Sequence, residues 1–95
     1  MKRLVLSPPA QRDLEQQLSY LRERSPKAAR AFRQRIQQAL RSLAAGAFEG
    51  SSTQLTSGTE VRRWPVEDRV IYYRHEGDVL QVLRIYPARS DSLEE

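Results

Sequence analysis

Arg62, Arg63, Arg69, Arg74, Arg84 and Arg89 fall in the later part of a 95-residue chain, interleaved with Trp64, Tyr72, Tyr73 and Tyr86. A guanidinium presents a flat fork of donors to phosphate or carboxylate, and a neighbouring aromatic ring can anchor an interface. The mixture suits a nuclease surface, a grip on a protein partner, or an ordinary solvated strand face. Other chemistries are poorly furnished. The single histidine, His75, lies in the turn-like "HEGD", and the chain has no cysteine. A metal site would need ligands converging from elsewhere, so His75 reads as a solvated turn residue. The serines sit at helix starts and in a loop, where capping and turn chemistry account for them, and no Gly-x-Ser-x-Gly elbow occurs. Gly46 and Gly50 lack the lysine and spacing of a phosphate-cradling loop. The acidic pairs Glu67/Asp68 and Glu76/Asp78 fall in predicted tight turns. Neither a metal nor a cofactor is expected.

These arginines need strands to hold them. Thr59–Trp64, Arg69–Arg74 and Val79–Tyr86 read as three strands, linked by turns around Glu67 and Asp68 and across His75–Asp78. Pro65 is permitted near a strand end or edge but not centrally. Alternation sets Arg62 and Arg63 on opposite faces, and Arg69 opposite Val70. Arg84 follows Leu83 within an apolar run, where a cation is costly unless paired.

Upstream, "RLVLS" is a short strand stopped by Pro8 and Pro9. Ser7–Pro8 and Ser25–Pro26 are each a capping residue followed by proline at the first helical position. Ala10, Leu14, Leu18 and Leu21 form a narrow apolar stripe on the first helix. On the second, Ala28, Phe32, Ile36, Leu40 and Leu43 line one face and Arg30, Gln34, Gln37 and Arg41 the opposite one, with Gly46 as a stop. So short a link predicts an antiparallel hairpin. Ala47–Gly58, rich in Gly, Ser and Thr, reads as a loop.

The order β-αα-βββ predicts a single α+β domain over residues 1–95: two layers, with the helical hairpin on an antiparallel sheet of about four strands. Leu14, Leu18, Leu21, Phe32, Ile36, Leu40, Val70, Tyr72, Val82 and Ile85 are the expected core. Tyr72 and Tyr73 point to opposite faces, and Tyr72 is assigned to the helix side. A formal charge of +4 permits a polyanionic partner. The apolar run near the N-terminus is far short of a signal segment, and nothing approaches the roughly 20 apolar residues of a membrane span. A cytoplasmic protein with no membrane partner is expected.

The ordered residues Arg62, Pro65, Val66, Ile71, Tyr73, Arg74, Val82, Leu83, Arg84, Ile85 and Asp91, with the helix start "LSPPAQRDLEQQLSYL", resemble the ParE/RelE toxin superfamily of type II toxin–antitoxin modules. The resemblance runs nearly the whole chain. It implies a RelE/ParE-like fold and a plasmid-stabilisation type of toxin neutralised by a cognate antitoxin. The ParE branch is associated with DNA gyrase inhibition and has no catalytic cluster. The RelE branch cleaves ribosome-bound mRNA; its basic residues would map to Arg69 and Arg89, with Tyr86 the only nearby hydroxyl. Here that set is depleted. Lysines occur only at Lys2 and Lys27, remote in sequence from the last strands, and Pro87 stands where many relatives carry histidine. The expected reading is therefore a binding-type toxin contacting antitoxin or target through Arg62, Trp64, Arg69, Arg74, Arg84 and Arg89. The alternatives are an mRNA endoribonuclease, or a non-toxic member retaining only antitoxin binding.

Overall fold

Two serine caps set the helical layer. In the computed structural model, which describes residues 2–47, 49–54 and 57–87, strand β1 (Arg3–Leu6) leads into helices α1 (Pro8–Arg24) and α2 (Pro26–Ala44). The Ala10 N–H donates to Ser7 Oγ at 3.2 Å and the Ala28 N–H to Ser25 Oγ at 3.1 Å, each with proline next in sequence. Ser25 also closes α1, its N–H donating to the Leu21 carbonyl at 2.7 Å. One residue thus ends one helix and starts the next, which forces the antiparallel hairpin. Gly46, at φ 78°, follows α2 as its stop.

The remaining strands are β2 (Ser51–Gln54), β3 (Glu60–Val66), β4 (Arg69–Glu76) and β5 (Val79–Pro87). They join β1 in one sheet of order β1-β5-β4-β3-β2, in which β1 and β5 run parallel and the other pairs antiparallel. The architecture is the α+β arrangement expected, with one strand more and with a mixed sheet in place of the antiparallel one, since β1 pairs in parallel with β5. β2 comes from the stretch read as a loop. Its residues lack apolar alternation because most are exposed, and what holds it is Gly50 just before it. Gly50 lies against the Arg63 backbone so closely that a Cβ would collide with the carbonyl. The Gly50 N–H donates to the buried Tyr73 hydroxyl at 2.6 Å. Pro65 lies past Arg63, where β2 has ended.

Apolar residues gather on both faces of the sheet. Under the helices, Ala10, Ile36, Leu40, Leu43, Ile71, Tyr73, Leu80, Val82 and Ile85 form the main core, flanked by Leu14, Phe32 and Trp64. On the other face Val61, Val70 and Tyr72 form a second cluster with Leu83 and Tyr86. The assignment of Tyr72 to the helix side is therefore corrected: Tyr73 takes that place, and both tyrosines are buried. Ala29, not Ala28, faces inward on α2. Leu18 is buried and Leu21 only partly so.

Val82 and Ile85 share the helix-side core although they are an odd number of residues apart. A bulge reconciles them. Tyr72 pairs with Arg84 and Tyr73 with Val82, leaving Leu83 as the extra residue on β5. The bulge resets the alternation, so Ile85 turns to the helices and Arg84 does not.

Beyond Val82, β5 has no strand on its outer side, because β1 ends at Leu6. Helix α1 covers that edge with side chains. The Ser7 N–H donates to the Val82 carbonyl at 2.9 Å and Ser7 Oγ to the Leu83 carbonyl at 2.9 Å. Asp13, buried, accepts the Ile85 N–H at 3.0 Å and both arms of Arg84, at 2.8 and 3.0 Å. Gln17 Nε2 donates to the Ile85 carbonyl at 2.9 Å. The Asp13 hydrogen bond, working against desolvation, raises the Arg84 pKa above its ordinary value. Stability from a raised base is lost only as pH rises past that already high range, so Arg84 stays charged at any accessible pH.

Asp13→Ala leaves the Ile85 N–H and the Arg84 guanidinium without their acceptor. It should cost about 2–3 kcal/mol and lower Tm by on the order of 10–20 °C, with Asp13→Asn intermediate, as read by thermal unfolding. Tyr73→Phe strands the buried Gly50 N–H and should cost about 1–3 kcal/mol. Burial raises the Tyr73 pKa, partly offset by the Gly50 hydrogen bond. The unfolded chain ionises this phenol first, so its contribution is complete below pH about 10 and falls as pH rises beyond it. Alkaline denaturant titrations should show this decline in the wild type and a shallower one in Tyr73→Phe.

Candidate functional site

Four of the six described strand arginines, Arg62, Arg69, Arg74 and Arg84, have side-chain partners within the chain. Arg62 Nε lies 3.1 Å from Glu49 Oε2, and its Nη1 donates to the Gly50 carbonyl at 2.8 Å. Arg69 donates to Gln17 Oε1 at 2.7 Å, pairs with Asp68 at 3.1 Å and sits 5.5 Å from the centre of the Phe32 ring. Arg74 reaches Gln81 at 3.2 Å and Glu76 at 2.9 Å. Arg84, held by Asp13, also stacks over Tyr86 at 4.4 Å. Trp64 pairs with Ile71 and packs partly buried against the helix-side core. Among the expected contact residues, Arg62 and Arg74 keep the more exposed side chains, near 40%, against 16% for Arg69. Arg89 lies outside the described residues.

These side chains do not form one constellation. Val70 is in register with Tyr86, and Arg69 with Pro87. Tyr86 therefore joins the Tyr72 cluster, while Arg69 turns towards Phe32 and Gln17. Two of the residues that would serve a phosphoryl-transfer site are thus on opposite faces of the sheet. Among the described residues no group of three His, Cys, Asp or Glu side chains gathers to hold a metal ion. No helix among them is long and apolar enough to cross a membrane.

His75 departs from the sequence reading. It lies in β4 rather than in the turn, and its side chain is 25% exposed. Lys2, far from it in sequence, places Nζ 2.9 Å from His75 Nδ1. An ammonium only donates, so Nδ1 accepts and the ring proton sits on Nε2. That proton is donated to Glu49 Oε1 at 2.8 Å. Glu49 then continues to Arg62, and Arg62 to Gly50. The chain start, the segment before β2, β3 and β4 are joined by one polar network beside an open cleft of about 730 Å³. No local motif marks it, because Lys2, Glu49 and His75 come from three distant segments. Both histidine nitrogens are occupied, so the imidazole acts here as a bridge. The acidic residues of the two hairpin turns serve similarly: Glu67 pairs with Arg35 of α2 at 2.7 Å, and Glu76 with Arg74.

The arrangement is therefore a largely self-satisfied sheet with half-exposed arginines at its margins, under a helical hairpin. It matches a known family along most of its length. The model of the ParE toxin of type II toxin–antitoxin system, parDE, matches residues 4–92. Among solved structures, the chain is similar to one titled "Chromosomal ParDE TA system from P. aeruginosa". The TM-score is 0.73 at 24% identity, covering 92% of this chain and 96% of that one. At that identity the likeness speaks for the fold. No curated protein sequence matches. With the family model matched from the first strand to beyond the last, the chain belongs to the ParE toxin family of type II toxin–antitoxin systems.

Proposed function

We propose that this ParE-family toxin acts in the cytoplasm by binding DNA gyrase, and is held inactive by a cognate antitoxin. The observation that carries the reading is the family match over residues 4–92. The internal engagement of the sheet arginines supports a binding role over a catalytic one. A catalytic arginine must be available to the reacting phosphate, whereas Arg69 and Arg84 are tied to Gln17 and Asp13. The antitoxin segment crosses the helical hairpin and reaches the sheet near Arg62, Trp64 and Arg74. Such a segment loses chain entropy on ordering, offset by apolar burial and charge complementarity.

Purified protein tested on gyrase supercoiling and on ribosome-bound mRNA separates the two targets. Inhibition of supercoiling with intact mRNA is expected. Arg74→Ala and Arg89→Ala should each weaken target affinity by about 1–3 kcal/mol, so toxicity falls by degrees and partly recovers at higher expression. Cleavage of the mRNA by wild type, abolished in Arg89→Ala, would instead sink the gyrase reading, since loss of a transition-state contact costs about a hundredfold or more in rate. Neither effect, with normal growth, would leave antitoxin binding alone.

Trp64→Ala separates an antitoxin anchor, whose loss lowers affinity at unchanged stability, from a core residue, whose loss lowers stability. The ring packs against the core, so a stability loss of about 2–3 kcal/mol is expected. Arg62→Gln with Arg74→Gln should weaken antitoxin binding in calorimetry, with a modest loss of Tm from the Glu49 and Gly50 contacts of Arg62. Unchanged affinity in that double variant would remove these two residues from the interface.

A further inference from the structure

The positive surplus of the protein is larger on the helical hairpin than on its arginine-rich strands, which carry six basic and two acidic side chains. Residues 8–44, the hairpin, carry eight basic and three acidic side chains, a surplus larger than the +4 of the whole chain. The rest of the molecule is slightly acidic. Helix α2 is the extreme case, with five basic residues and neither Asp nor Glu along its 19 residues. Only Arg35 of these five has a carboxylate partner, Glu67. Lys27, Arg30, Arg33 and Arg41 are all exposed and have none among the described residues.

Such a helix is poorly arranged for its own stability. Lys27 stands in the first turn, where the helix dipole favours acids. Arg30 and Arg33 are like charges three apart on one surface. Between the cations the outward face carries Gln34, Gln37 and Gln38, all exposed. The large exposed apolar residues, Val5 and Tyr20, are on other elements. At the turn end of the hairpin Arg22 of α1 joins Arg30 and Arg33 around a cavity of about 150 Å³, where one phosphate would meet more than one guanidinium.

We propose that this face of α2 binds the phosphate backbone of duplex DNA directly. Protein–DNA interfaces are strongly basic and polar, whereas protein interfaces set their arginines around buried aromatic or aliphatic anchors, which this face lacks. Lys27 to Arg41 spans about 21 Å along the helix, the axial length of about six base pairs. Arginine and glutamine side chains at successive turns supply donors to successive phosphates, without requiring a particular sequence. The proposal stands apart from which enzyme the toxin targets.

The test is fluorescence anisotropy of a labelled 20-base-pair duplex with the purified protein at rising salt. Wild type should bind at low salt and weaken linearly on a log–log plot. The triple variant Arg30→Gln/Arg33→Gln/Arg41→Gln keeps good helix formers. It should bind at least tenfold more weakly, with a slope shallower by about 2–3 for three lost phosphate contacts. Arg3→Gln, which replaces an exposed arginine on β1, should match wild type. Circular dichroism and Tm confirm folding, and Tm should hold or rise as like charges are removed. Absence of duplex binding by wild type, or wild-type affinity and slope in the triple variant, overturns the proposal. So does tighter capture of a polyglutamate peptide than of the duplex, which would make the face a site for acidic protein. Gyrase inhibition, measured on the same preparations, reports on the target reading separately.

Discussion

The contact between Asp13 and the far half of β5 fixes the relation of the helical layer to the sheet. β1 supplies four residues of parallel pairing and then stops, leaving the Ile85 N–H and the carbonyls of Leu83 and Ile85 on an edge. Exposed edges invite pairing with other chains. Here a helix closes the edge with side chains: Ser7, Asp13 and Gln17 meet β5 at successive positions. Because Asp13 also takes both arms of Arg84, one carboxylate satisfies a backbone donor and a strand cation together. Among the described residues no buried side-chain nitrogen or oxygen lacks a partner. An uncompensated polar group in such a place would cost as much as a sizeable part of the stability of a small domain.

The same demand for partners shapes what the surface can do. An arginine lying along a strand between apolar residues must be paired, so Arg69 and Arg84 are engaged inside the molecule. Arg62 extends the Lys2–His75–Glu49 network that ties the chain start to β3 and β4. The helices are under no such demand, since their outward faces are solvated on every turn. That is where most of the cations without carboxylates stand. In this fold the sheet uses its arginines chiefly for cohesion, and the helical hairpin carries the field seen by a partner at a distance.

Local chemistry was legible in the residue order. The Ser-Pro pairs set both helix starts, the 3.6-residue pattern separated the Arg30/Gln34/Gln37/Arg41 face from the core, and period-two alternation placed Arg62 opposite Arg63. The ordered signature from Arg62 to Ile85 was enough to point to the toxin family. Each of these depends on neighbours a few positions apart, where backbone geometry alone dictates the relation.

What depends on distant segments was decided by the tertiary structure. Alternation told that Tyr72 and Tyr73 part company but not which face the helices cover, and it could not foresee apolar clusters on both. Val82 and Ile85 share a core only because Leu83 is bulged. Ser51–Gln54 becomes a strand through Gly50 packing on Arg63 and bonding Tyr73, although its own residues show no strand pattern. His75 acquires Lys2, and Arg84 acquires Asp13, across most of the length of the chain, and Glu49 reaches His75 from 26 residues away. A sequence records which side chains are present and how neighbours are spaced. Which cation meets which carboxylate is set by long-range packing, and that pairing separates the arginines that hold this fold together from those left to act.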